Sequence, residues 1–359
     1  MASIPEVAET PIWEEPVRGF FIDPARFLKL SGLEVMRDYL EGARRPPPIH
    51  YLTGLIPTFV GPGAATFTMP VSDWLLSPQG VVSGATLGLL VDGPLGTTVQ
   101  TTLPPATPYT TAELSMYYLR TVTRGAGQLT GRGRLLSAGR TVGLSEVEVT
   151  DQAGRPVAIA TTRCVVLPKI DVEAPAELPA LDDEPEWPTP HPYQRPVQGE
   201  VLPQEVWDRM SGLEVMRAII AGELPAPPIH HLCGIAPVSA EEGATTWRLP
   251  ASEWLCAPIQ GRVFGGATTY LAGTAIDGAI QTVVPAGTAF APVDLKVYFL
   301  RPVAPDGRDL IATSRVTQRG RTVVIGTSEV RDADGKLVVM ATGSAMLMPG
   351  RPATVTSRS

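Results

Sequence analysis

Between Val82 and Gln100 the chain reads Val-Ser-Gly-Ala-Thr-Leu-Gly-Leu-Leu-Val-Asp-Gly-Pro-Leu-Gly-Thr-Thr-Val-Gln, and Asp92 is the one ionisable residue in it. A lone carboxylate in apolar surroundings has two readings. Either nearby backbone and hydroxyl groups satisfy it, or it is an acid/base whose pKa has been shifted. Composition alone favours the first. Ser83-Gly84-Ala85 supplies a second chemical element. Ser83 can cap a helix, leaving the N–H groups of Gly84 and Ala85 at its positive end. Such an end suits an oxygen on which negative charge develops. From Ser83 to Asp92 is roughly 13 Å at a helical rise of 1.5 Å per residue. The two groups therefore cannot meet at one atom within a single straight helix.

The element that carries them is apolar almost all round, through Leu87, Leu89, Leu90, Val91, Leu95 and Val99. A helix without a polar face must be covered on every side. Gly84, Gly88, Gly93 and Gly96 keep it thin enough for another backbone to approach. Pro94 removes one backbone donor and should kink it beside Asp92.

Composition narrows the function classes. At 359 residues, 44% hydrophobic and 18% charged, the chain suits two globular domains with real cores. A net charge of -7 argues against general nucleic-acid binding and against attraction to anionic membranes. Cys164, Cys233 and Cys256 show no CxxC spacing and read as reduced thiols. The start lacks the basic and apolar regions of a signal peptide, and no apolar run reaches membrane-spanning length. The expected location is cytoplasmic. No metal-ligand constellation is present, and His50 and His230 read as structural.

The pattern around the central stretch occurs twice. Ser31-Gly-Leu-Glu-Val-Met-Arg37 reappears letter for letter as Ser211 to Arg217, an offset of 180. Pro47-Pro48-Ile49-His50 returns as Pro227 to His230, and Ser72-x-Trp74-Leu75 as Ser252-x-Trp254-Leu255. From Gln100 and Gln281 onward the offset is 181 without a gap, through Tyr117/Tyr298, Arg120/Arg301, Gly139-Arg140-Thr141/Gly320-Arg321-Thr322 and Gly154/Gly335. Each copy predicts a helix from Asp23-Pro24 onward, strand-like runs over Tyr51–Val60 and Ala64–Met69, the central helix, then four strands ending near Leu167. The expected organisation is an extension (1–22), domain 1 (23–170), a Pro- and acid-rich linker (171–200), domain 2 (201–350) and a loose tail (351–359). Each domain should be α+β, an antiparallel sheet around one helix, at about 83–102 and 265–283.

At these residues the chain resembles, twice, the hotdog-fold acyl-CoA thioesterases of the phenylacetate-pathway (PaaI) type. The resemblance rests on Pro47-Pro48-Ile49-His50-Tyr51-Leu52-x-Gly54, the Trp74 to Gly80 loop, Tyr109 to Leu114 leading to Tyr117-x-Leu119-Arg120, and the later turns. It implies two tandem hotdog domains packed as a pseudo-dimer with sites between them. In the family, His-Gly-Gly opens the central helix and an Asp follows nine positions after the His. Here Asp92 falls on that Asp, and Ser83-Gly84-Ala85 on His-Gly-Gly. In the second copy Phe264-Gly265-Gly266 takes the His-Gly-Gly place and Gly273 that of the Asp. Thr110 falls where the family often has a water-orienting hydroxyl, with Ala291 opposite it in the second copy.

The implied function is acyl-CoA thioester hydrolysis with Asp92 as base or nucleophile, paired with Gly265 and Gly266 of the other repeat. Thr110 would assist, and Ser83, Gly84, Phe264, Arg120, Arg140 and Arg321 would contact substrate. The arginines have two readings, coenzyme A phosphates or plain solvation. The opposite pairing, Gly84 with Gly273, would lack a base, leaving one competent site per chain. No cofactor is expected beyond coenzyme A within the substrate. A homodimer of four hotdog domains is the expected assembly. Two alternatives stand beside the hydrolase: a non-catalytic acyl-thioester-binding protein, and another acyl-CoA or acyl-carrier-protein enzyme such as a dehydratase or isomerase.

Overall fold

In the computed structural model, residues 10–43, 45–178, 185–258 and 261–354 are described. Residues 1–9 of the expected extension and 355–359 of the expected tail lie outside them. The first repeat runs α1 (Pro24–Lys29), α2 (Gly32–Leu40), α3 (Pro48–Thr53), β1 (Ile56–Gly61), β2 (Ala64–Pro70), β3 (Val81–Val82), α4 (Gly88–Gln100), β4 (Tyr109–Tyr118), β5 (Val122–Thr123), β6 (Gln128–Ala138), β7 (Val142–Thr150) and β8 (Pro156–Val166). The second runs α5 (Gln204–Arg209), α6 (Gly212–Ala221), α7 (Pro228–Cys233), β9 (Ala236–Glu241), β10 (Ala244–Pro250), α8 (Gly265–Gln281), β11 (Thr288–Phe299), β12 (Asp309–Arg319), β13 (Val323–Arg331) and β14 (Leu337–Pro349). No helix among the described residues is long and apolar enough to cross a membrane.

The one helix expected from Asp23 onward divides into α1 and α2, broken at extended Leu30 and Ser31, and two further expectations about local structure change. Tyr51 to Thr53 are helical, not extended, because Pro48 sets the first turn of α3 and Gly54 ends it at φ 75°. The first central helix opens as a tight 3-10 turn over Ala85–Leu87 before α4 begins. There the Ser83 Oγ accepts from the Thr86 N–H at 3.2 Å, and i→i+3 bonding takes up the first free donors.

The repeated heptapeptide has a packing explanation. Ser31 and Ser211 cap α2 and α6, and in each a Glu three residues on closes a capping box. A side chain on Gly32 would lie 1.9 Å from the Gln100 carbonyl oxygen, and one on Gly212 the same distance from that of Gln281. These helices therefore start against the ends of α4 and α8, and only glycine fits.

Antiparallel strands form one sheet in the order β1-β2-β6-β7-β8-β4-β11-β14-β13-β12-β10-β9. The repeats meet at β4 and β11, where Leu114 pairs with Val297, Ser115 with Lys296 and Met116 with Leu295. Ser115 and Lys296 are repeat equivalents at offset 181, so the pseudo-two-fold axis passes between them. Both central helices pack on the inner face, and their buried residues belong to one continuous core. Each fully buried Leu or Val there contributes about 1.5–3 kcal/mol.

Short segments also cross between repeats. The Trp254 indole N–H donates to the Glu15 carbonyl at 3.0 Å, and the Trp74 indole N–H to that of Arg195 at 3.0 Å. Arg195 pairs in turn with Glu15 at 2.5 Å. Residues 11–19 and 191–199 are thus equivalent straps, each laid over the other repeat. The Ile49 N–H donates to Cys256 O at 3.1 Å and the Ile229 N–H to Leu76 O at 3.4 Å. That exchange gives the repeated Pro-Pro-Ile-His stretch its structural work.

Candidate active site

Helices α4 and α8 touch backbone to backbone. A side chain on Gly266 would lie 2.5 Å from the Gly88 carbonyl oxygen, and one on Gly88 2.8 Å from the Thr269 methyl. This approach carries Asp92 to the start of α8, where its Oδ2 accepts from the Gly266 N–H at 2.9 Å. Asp92 is 7% exposed. Burial pushes its carboxyl up to about 6, while the Gly266 N–H and the Thr111 hydroxyl pull in the opposite direction. Asp92 and Gly266 thus come together from different repeats. The Gly266 N–H is taken by the carboxylate itself, so the adjacent Gly265 N–H, without a partner among the described residues, is the donor left at the helix start. A side chain on Gly265 would lie 2.7 Å from Asp92 Oδ2 and 3.4 Å from the Phe299 ring.

Thr110 is not where the sequence reading put a hydroxyl. It is exposed on β4, and it is the hydroxyl of its neighbour Thr111 that acts on Asp92, lowering the carboxyl's pKa. A β-bulge between Thr111 and Glu113 resets which side chains face inward here. Opposite Thr111 on β8 lies Cys164, whose thiol burial and the Asp92 charge push up to about 12. It is an inert wall of the site.

The remaining expected residues divide. Phe264 is buried at the start of α8, beside Gly266. Ser83, Gly84 and Arg120 lie on the opposite side of the pseudo-dimer, around a cavity of about 400 Å³. Arg140 and Arg321 are exposed beside the turns between β6 and β7 and between β12 and β13, and neither lines this cavity. In Gly131-Arg132-Gly133-Arg134 the glycines lie under α4, close to Pro94 and Thr98. Arg132 donates to Thr150 at 2.9 Å and Arg134 pairs with Glu146 at 2.7 Å. His50 is bonded to Tyr39 at 2.9 Å. His230, on the cavity wall, is held neutral by burial, which lowers its pKa to about 3.

Asp277 escaped the sequence reading. It faces the same cavity from α8, one helical turn beyond Gly273 and on the same face. The offset of 181 sets it against Gly96, which hid it. Yet it carries the signal that singled out Asp92, being the one charged residue between Arg262 and Asp294. Gly273 has no room for a carboxylate, because a side chain there would lie 2.7 Å from the Ala85 methyl. Ala85 with Gly273 is therefore the exchanged counterpart of Gly266 with Asp92. Space freed for an acid on one side is filled on the other.

Two protein families match the chain, one on each repeat: the acyl-CoA thioesterase C-terminal domain over residues 49–166 and the thioesterase superfamily over residues 260–339. With the fold, they define the class: a thioester hydrolase built from two hotdog domains. Among curated protein sequences none matches. Among solved structures, a TesB protein from Mycobacterium avium subs paratuberculosis is similar at a TM-score of 0.50 and 13% identity, covering 84% of this chain and 98% of that one. An acyl-CoA thioesterase II, TesB2, from Mycobacterium marinum gives 0.48 and 11%, with 84% and 98% covered. A conserved hot dog fold protein from Alicyclobacillus acidocaldarius gives 0.48 and 14%, with 83% and 97% covered. The first of these shares this chain's fold over a span that takes in both repeats.

Proposed function

We propose that the chain hydrolyses acyl-CoA thioesters between its repeats, with Asp92 as general base or nucleophile, in the manner of the PaaI-type enzymes it resembles. The observation that carries this reading is the 2.9 Å bond from the Gly266 N–H to Asp92 Oδ2, a carboxylate of one repeat on the helix start of the other. A carboxyl at about 6 is largely ionised at neutral pH yet basic enough to take a proton from water. Thr111 and the Gly266 N–H orient it. The Gly265 N–H and the positive end of α8 face the place where the thioester oxygen would gain charge. Water then attacks the carbonyl carbon, Asp92 takes its proton, and the C–S bond breaks as the proton passes to the leaving thiolate.

The test is release of free thiol from acyl-CoAs. Asp92→Asn keeps shape and removes the base, and should lower kcat by about 10²–10⁴. Unchanged turnover in a folded Asp92→Asn variant overturns the assignment. Acyl-CoA that binds but is never cleaved by the native chain points to the binding-protein alternative.

A further inference from the structure

The cavity beside Ser83 is not used by the Asp92 chemistry, although it is related to it by the pseudo-two-fold axis. Its polar end is built by Ser83, Tyr118 and Asp277. Asp277 makes no hydrogen bond or ion pair among the described residues, and burial pushes its carboxyl up to about 7. The Tyr118 ring lies on Gly84, where an added side chain would meet it at 2.7 Å. Burial and the charges of Asp277 and Asp294 raise the Tyr118 hydroxyl well above its ordinary value, so it stays a donor. At the Asp92 side the equivalent ring is Phe299, which has no hydroxyl.

Two more donors lie in the cavity wall without partners among the described residues. Trp247 and Gln281 line the cavity, and the indole N–H of the one and the amide nitrogen of the other are buried with no hydrogen-bond partner among the described residues. Unpaired buried donors are costly and uncommon in native folds. Beyond them the wall is apolar, through Met216, Ile229, Phe290 and Met346. About 400 Å³ lies within the range of roughly 300–1,000 Å³ typical of small-molecule sites. Exposed Arg120 lines this cavity too, a cation placed for an anionic portion of the ligand.

We propose that this cavity is a second acyl-thioester site, in which Asp277 takes the proton of the attacking water and Tyr118 donates to the thioester oxygen. The acyl group lies along the Met216, Ile229 and Phe290 wall. Water adds to the carbonyl carbon as its proton moves to the Asp277 carboxylate. The C–S bond then breaks, and the same proton passes to the departing thiolate, giving a carboxylic acid and a free thiol. The proposal rests on the thioester-hydrolase reading of the chain, and not on Asp92.

The experiment measures thiol release from acetyl-, octanoyl- and palmitoyl-CoA by the full chain and by Asp92→Asn, Asp277→Asn and the double variant. Folding is checked by circular dichroism. Asp92→Asn should leave a residual activity on the longer acyl-CoAs, Asp277→Asn should remove that same share from the native turnover, and the double variant should fall about 10²–10⁴ below Asp92→Asn. Ile229→Trp, which fills the apolar wall, should raise KM for palmitoyl-CoA and leave that for acetyl-CoA unchanged. Wild-type turnover of every substrate by Asp277→Asn overturns the second site while leaving Asp92 standing. Loss confined to Asp277→Asn, with Asp92→Asn fully active, supports this site and sinks the Asp92 reading. Complete loss in each of the two single variants means one shared centre and overturns the separation.

Discussion

Asp92 is buried and Asp277 half-buried, both carboxyls have raised pKa values, and this has consequences for pH. If Asp92 is the base, kcat/KM should rise with pH around 6, and Thr111→Val should move that limb upward by removing a bond to the ionised form. A pH–rate profile of both proteins checks this. Stability runs the other way. In the unfolded chain these groups lose their protons near pH 4, whereas in the fold they hold them to about 6 and 7. The folded state therefore binds more protons between these limits, and stability falls as pH rises from about 4 to about 7. Asp277→Asn should flatten that fall, and melting temperatures at pH 5 and pH 8 should draw closer together than in the native chain.

The elements make the glycines into constraints. Gly212→Ala places a methyl 1.9 Å from the Gln281 carbonyl oxygen, so α6 must shift. The cost should be about 1–3 kcal/mol or more, read as a lower urea midpoint at unchanged slope. The exchange of Ala85/Gly273 for Gly266/Asp92 gives a second prediction. Gly273→Asp alone should destabilise the fold, because the Ala85 methyl fills the place of the new side chain. Ala85→Gly with Gly273→Asp should recover much of that loss, and a double-mutant cycle in urea measures the coupling.

Across the whole molecule, the continuous sheet, the joined core and the exchanged straps leave neither repeat complete. Far-UV circular dichroism and tryptophan fluorescence should report one coincident urea transition for the full chain. A chain of residues 10–178 alone should not reach a cooperative fold, since Trp74 would lose Arg195 and β4 would lose β11. The outer sheet face exposes Tyr117 beside Ile159 and Tyr298 beside Met340. An apolar strip of this kind favours pairing of two chains, and light scattering should then give twice 38.1 kDa.

What the sequence determined by itself was whatever repeats or is local. The double hotdog was legible because glycines, caps and turns recur in order at a nearly fixed offset, each for a steric reason confined to a few neighbouring residues. Asp92 stood out as an acid alone in an apolar helix, its role came from the hotdog resemblance, and so did its pairing with the α8 start once helix length had excluded a site within one helix. Tertiary structure decided the rest. The bulge after Thr111 chose that hydroxyl over Thr110, because which face a strand side chain takes depends on a ladder formed with distant residues. The straps were unreadable as such, since a Pro-rich segment is ordered only by the repeat it covers. Asp277 was passed over because aligning repeats compares positions in sequence. A cavity is shared by side chains one helical turn apart, and only the packing of α8 against Tyr118 and Gly84 brings them to one place.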